Sequence, residues 1–148
     1  YSIQWGPRSA ELKPHQGRDN VFNLSEKLTD FGETAAIIDQ VDLVISIDSA
    51  VTHLAGALGK PVWTILPFGG EWRWLFRRED SPWYPNMRLF RQRILGDWRP
   101  VFLRIAAALQ QQVQAGDDTG GAAADTAVGQ HDTATEPGSE PVVGGKTS

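Results

Sequence analysis

A serine and a histidine four residues apart at the start of a helix stack on one face and can hold an anion between them, and Ser49 and His53 have that spacing. They lie in Asp48-Ser49-Ala50-Val51-Thr52-His53-Leu54-Ala55-Gly56-Ala57-Leu58-Gly59-Lys60-Pro61, directly after the apolar run Leu43-Val44-Ile45-Ser46-Ile47. A strand that ends where a helix begins presents unpaired N–H groups and a partial positive charge, which suits a phosphate. On this reading the turn at Ser49, Ala50 and Val51 offers amides, Ser49 adds a hydroxyl, and His53 donates an imidazole N–H one turn in. Gly56 continues the same face without a side chain, while Ala50, Leu54, Ala55 and Leu58 form the core-facing stripe. Asp48 would be repelled by a diphosphate. It is expected to cap the helix through a backbone N–H near Val51, or to accept hydrogen bonds from sugar hydroxyls. The competing reading has no ligand: Asp and Ser at a helix start usually cap, and a lone helical His usually packs.

The elements that would position these residues can be read from pattern. Tyr1–Trp5 reads as a strand ended by Gly6-Pro7, and Val21–Leu24 as a second. Asp30, with Glu33 three residues on, marks a helix start whose Phe31, Ala35 and Ile38 share a face. The run 43–47 predicts a strand covered on both faces, as in a parallel sheet. Ser49–Leu58 is helical and stopped by Gly59, with Pro61 beyond. Val62–Leu66 is the next buried strand, and Arg88–Gln92 an edge strand. A last helix starts near Pro100 and is expected to bury Phe102, Ile105, Ala106 and Leu109. The order βαβαβα implies a three-layer, Rossmann-like parallel α/β sheet.

Composition narrows the class. The 148 residues carry 14 Lys+Arg, 18 Asp+Glu and no cysteine. Residues 1–114 hold 13 basic and 12 acidic side chains, or +1, whereas 115–148 hold one Lys and six acids, or −5. A nearly neutral body gives no electrostatic footprint for nucleic acid. Without cysteine there is no disulfide framework, thiolate chemistry or cysteine-based zinc site. No apolar run approaches the roughly 18–20 residues that span a bilayer, and no signal-peptide pattern is present, so the expected compartment is the cytoplasm. From Gly116 the sequence holds no aromatic residue, leucine or isoleucine, so 115–148 is expected to be a disordered tail behind a 1–114 domain. The chain opens on Tyr1 rather than Met and directly on strand-like residues, and is expected to be a fragment or a gene product lacking its natural beginning.

Residues 67–86 form a long loop or broken helix. Residues 71–99 hold seven Arg against four acids, interleaved with Trp72, Trp74, Trp83 and Trp98. Trp72, Arg73 and Trp74 are candidates for a lid that stacks on a base or sugar. The alternative is that the tryptophans pack the sheet edge while Arg73, Arg77 and Arg78 pair with Glu79, Asp80 and solvent.

The stretch from Asp48 to Trp63 resembles the donor-site motif of glycosyltransferase family 9, the heptosyltransferase-like group: Asp-Thr/Ser-Gly/Ala, two residues, His-Leu, a small-residue helix and Gly-x-Pro. Glu71-Trp72-Arg73-Trp74-Leu75 and Asp80-Ser81-Pro82-Trp83-Tyr84-Pro85 are similar to a bacterial branch in which tetratricopeptide repeats precede such a domain. The resemblance covers most of residues 1–110. It implies a GT-B fold, two Rossmann-like domains facing a cleft, of which this chain resembles the C-terminal, donor-binding half. The implied partners are a nucleotide-sugar donor and an N-terminal domain absent from the chain, which would hold the acceptor and the carboxylate base. The implied donor contacts are Asp48, Ser49, Ala50, Val51 and His53, with His53 stabilising the diphosphate leaving group. Transfer would be inverting and free of metal and organic cofactor. Ala50 stands where heptosyltransferases usually have Gly, and Trp5 where a basic residue is expected, with Arg8 and Lys13 as substitutes. The rival class is a non-catalytic interaction module or an inactive relic of a repeat-bearing glycosyltransferase. A nicotinamide-dependent dehydrogenase is a poor third reading, because Gly6-Pro7-Arg8-Ser9-Ala10-Glu11 lacks the glycine spacing of a pyrophosphate turn.

Overall fold

Five residues of unbroken apolar and β-branched character, Val62–Leu66, make the central strand β2 of a three-stranded parallel sheet ordered β1-β2-β3. Its neighbours are β1, Val44–Ile47, and β3, Met87–Arg91. The register sets Val44 and Met87 beside Val62, and Ile47 and Phe90 beside Ile65. The computed structural model describes residues 1–15, 20–69 and 71–124; the side chains of 116–124 and the tail beyond 124 lie outside what is described. The chain divides into two units, Tyr1–Leu109 and Gln110–Ser148.

In the first unit, strand alternation sends side chains to two cores. Val62 and Leu66 of β2 join Val44, Met87 and Leu89 on one face, where Ile38 of helix α1 (Phe31–Asp39) and Ala55 of helix α2 (Ala50–Ala57) cover them. Trp63 and Phe90 point to the other face and meet Val101, Ile105 and Ala108 of helix α3 (Arg99–Ala124). Helices on both faces of a parallel sheet give the three-layer, Rossmann-like α/β arrangement expected from the sequence. In the second unit, α3 is described to Ala124, past the residue at which the sequence places the start of the tail.

Local chemistry explains the element ends. Asp30 Oδ1 accepts the Glu33 N–H at 2.9 Å, the expected cap of α1. Past α2, Gly59 takes φ +73°, Gly59 N–H donates to Gly56 O and Lys60 N–H to Ala55 O, each at 3.1 Å. That is a Schellman stop, and the positive φ is the reason for glycine there.

Four expectations are corrected. The strands read at 1–5 and 21–24 reduce to one parallel bridge, Ser2 with Asn23, outside the sheet; residues 7–15 follow as a 3₁₀ coil that buries nothing. The run 43–47 is covered on one face only: Ile45 and Ile47 are exposed, because α3 packs over Trp63 and Phe90 and leaves β1 bare. On α3 the buried stripe is Val101, Ile105 and Ala108, while Phe102, Ala106 and Leu109 are exposed. Phe31 is exposed on α1, and Ala50 and Leu58 on α2, where Thr52 and Ala55 are buried instead. The edge strand read at 88–92 appears as β3, its outer side bridged by Asp80 to Arg88.

Candidate functional site

The C-terminal end of β1 runs straight into α2, and Asp48, Ser49 and His53 gather there as the spacing requires. Ser49 is the N-cap residue, with extended backbone and no side-chain capping bond. Its hydroxyl lies 3.1 Å from that of Ser46. Thr52 Oγ1 donates back to Ile47 O at 2.7 Å and ties the helix to the strand end. The first turn, Ala50 and Val51 included, thus keeps the N–H groups that a helix start leaves without intrahelical partners.

Asp48 does not cap α2, contrary to expectation. Its Oδ2 accepts the indole N–H of Trp74 at 2.8 Å. Arg73 lies 3.8 Å from the same oxygen and is paired more closely with Glu71, at 2.7 Å. The carboxylate is partly enclosed, and the indole N–H supplies the hydrogen bond that its burial requires.

Trp74 closes the cluster from below. It is fully buried, and its ring stacks on the His53 imidazole with centroids 5.3 Å apart and planes at 17°. It belongs to the core rather than to a lid. Its neighbour Trp72 is 71% exposed, and Arg73 is half-exposed between them. The 3₁₀ turn Trp72–Trp74 therefore has one outward and one inward indole. Trp83 donates its indole N–H to Arg73 O at 2.8 Å and braces the turn.

His53 is held on three sides and open on the fourth. Its Nδ1 lies 3.1 Å from the Tyr84 hydroxyl, a hydrogen bond whose donor depends on the tautomer, and its Nε2 lies 3.7 Å from Asp48 Oδ1. The side chain stays 35% exposed. Tyr84 is the partner that the sequence reading missed. Gly56 was its signal: a Cβ there would fall 2.6 Å from Tyr84 Cγ, so this face of α2 must be bare for the ring to lie against it. Among the described residues, no cluster of three or more His, Cys, Asp or Glu is placed to hold a metal ion, and no helix is long and apolar enough to cross a membrane.

Residues 8–87, which contain this whole cluster, match glycosyltransferase family 9 (heptosyltransferase). The chain is also 40% identical over 106 residues to Protein FlbA of Caulobacter vibrioides, an alignment covering 72% of this chain and 15% of that protein. No solved structure matches it. With its Asp-Ser-Ala-x-x-His turn set at the end of a parallel strand, and more than half its length within the match, the chain belongs to glycosyltransferase family 9.

Proposed function

We propose that the chain is the donor-binding part of a glycosyltransferase and that the start of α2 receives the diphosphate of a nucleotide sugar. The observation that carries this reading is the half-exposed His53, oriented by Tyr84, Trp74 and Asp48 beside an uncapped helix start. When the Tyr84 hydroxyl donates to Nδ1, Nε2 carries the proton and is the ring's donor to an arriving anion. Ser49, Ala50 and Val51 supply the amides, and Trp72 and Arg73 are the lid candidates left once Trp74 is assigned to the core.

Transfer would proceed by attack of an acceptor hydroxyl on the anomeric carbon as the bond from that carbon to the diphosphate oxygen breaks. The electron pair leaves on the diphosphate, where helix amides and His53 stabilise the growing charge without metal. The acceptor proton passes to a base outside this chain, on the second domain that the family resemblance implies. Inversion follows from a single displacement.

The test is a His53→Ala variant of the full-length protein, with calorimetric titration of nucleoside diphosphates. Turnover is expected to fall about 10²–10³-fold, the usual cost of removing one such donor. Diphosphate affinity should weaken as well, with the unfolding temperature little changed. Undiminished turnover at equal stability would reject the role. A second reading, a non-catalytic interaction module, is favoured by the exposed Trp72, Phe76 and Trp83. Absence of any heat with millimolar diphosphate would select it.

A further inference from the structure

Beyond the C-terminal ends of β2 and β3 lies a cavity of about 690 Å³, within the range that small-molecule ligands occupy. Five arginines line it, Arg77, Arg78, Arg91, Arg93 and Arg104, against a single acid, Glu79. Glu79 is engaged with Arg88 at 3.7 Å and Arg78 with Asp80, whereas Arg77 and Arg93 have no partner among the described residues. The cavity therefore keeps a surplus of positive charge.

Two lining residues bring buried donors that nothing among the described residues satisfies. Gln92 is 2% exposed; its Oε1 accepts the Phe68 N–H at 3.2 Å, which fixes the amide's orientation and leaves Nε2 without a partner. Arg91 donates one Nη to Trp74 O and Leu75 O, at 3.3 and 2.7 Å, while its Nε and the other Nη are buried and unpartnered. Burial lowers the guanidinium's pKa from its ordinary value. Unpaired buried donors of this kind carry a desolvation cost and leave the wall behind the exposed arginines rich in positive charge and N–H dipoles. Phe68 and Phe76 supply exposed aromatic surface at the same wall.

We propose that this cavity is a second ligand site, distinct from the His53 cluster, which binds the phosphate of a phosphorylated small molecule through the unpaired Arg77 and Arg93, with Arg91 and Gln92 lending positive charge from the wall behind them, and seats a ring of that molecule against Phe68 and Phe76. A phosphate dianion matches the several converging cations better than one carboxylate does, and the guanidinium fork suits paired oxygens. The site stands independently of the donor assignment.

Calorimetric titration of the chain with inorganic phosphate and with phenyl phosphate tests it, using wild type, the double variant Arg77→Gln/Arg93→Gln, and His53→Ala. Arg77 and Arg93 are exposed, so the double variant should keep the wild-type unfolding temperature. The expectation is tighter binding of phenyl phosphate than of phosphate. Affinity should weaken at least about tenfold in the double variant, as lost charge-assisted contacts imply, and stay unchanged in His53→Ala. No heat from wild type at about 10 mM ligand, on the affinity scale of a weak site, would overturn the proposal. So would unaltered binding in the double variant, or a loss confined to His53→Ala, which would place the anion at the helix start.

Discussion

Two polar regions draw on Trp74, one through its indole N–H and the other through its backbone carbonyl, and they differ in how far their hydrogen bonds close on themselves. Around His53 nearly every group has a protein partner: Asp48 with Trp74, His53 with Tyr84, Arg73 with Glu71. Around Arg91 the donors outnumber the acceptors, and three buried nitrogens of Arg91 and Gln92 have none. A largely closed network fixes one geometry at little cost, because its buried groups are satisfied save the Arg73 Nε. An open one leaves desolvated donors, which only an added acceptor can satisfy. The first region is organised like a device for holding one imidazole in place, the second like a receptor awaiting charge.

Trp74→Ala would break the comparison most severely, since this side chain serves both regions. It is fully buried in the core, supports His53, and holds Asp48. Removing a buried tryptophan costs about 3–5 kcal/mol, a large fraction of a small domain's stability. Urea unfolding should show a fall of that size. The loss should also release the carboxylate of Asp48 and disturb the backbone carbonyl that Arg91 uses, so both sites should weaken together. A variant that lost less than about 1 kcal/mol, below the range for buried aromatic truncation, would mean that the indole is not the shared support of the two regions.

Gly56→Ala separates the regions, because it touches only the first. In a helix alanine is intrinsically better than glycine by about 0.5–1 kcal/mol. Here the added Cβ would stand 2.6–3.1 Å from three ring atoms of Tyr84, which must move. Overpacking of this kind costs about 1–3 kcal/mol, so a net loss of about 1–2 kcal/mol is expected. The displaced ring should lose its bond to His53, visible as a change in the histidine's NMR shifts, while phosphate binding at the arginine cavity persists. A stabilised variant with unchanged histidine shifts would show that the ring yields freely.

How far these regions were legible depends on the range of the contacts that build them. Asp30 capping α1, Gly59 stopping α2 and the buried run of β2 are decided within a few residues, and pattern captured them. Ser49, His53 and Gly56 share a helix face for the same local reason. What escaped was decided across the fold. Tyr84 reaches His53 from 31 residues away, and Trp74 reaches Asp48 from 26. The bareness of Ile45 and Ile47 depends on where α3 lies, and periodicity in 43–47 carries no record of that. The same applies to α3, whose apolar residues fit more than one stripe until Trp63 and Phe90 select Val101, Ile105 and Ala108. The arginine cavity joins residues following β2 to residues of β3 and α3, and composition showed only that arginines were plentiful there.

The smallest expected effect sharpens the account of the second region. Arg78 lines the cavity but spends its charge outward: its Nε and one Nη donate to the two oxygens of Asp80, at 2.9 and 2.5 Å. That paired hydrogen bond holds the Asp80 carboxyl below its ordinary range and raises the Arg78 guanidinium. Because the folded-state value is depressed, the pair's contribution to stability is present above the unfolded carboxyl value of about 3.9 and is lost as pH falls through the folded value. Both groups are open to solvent, Asp80 more than Arg78, so salt should screen the effect and its weight in stability should be slight. In Arg78→Gln the Asp80 titration followed by NMR should move up toward the ordinary carboxylate range. Phosphate affinity should change far less than in Arg77→Gln/Arg93→Gln, because an arginine already committed to a carboxylate has little field left for a ligand. If Arg78→Gln instead matched the double variant, the surplus charge that defines the cavity would have to be assigned to all of its arginines alike, and the contrast between paired and unpaired donors would lose its force.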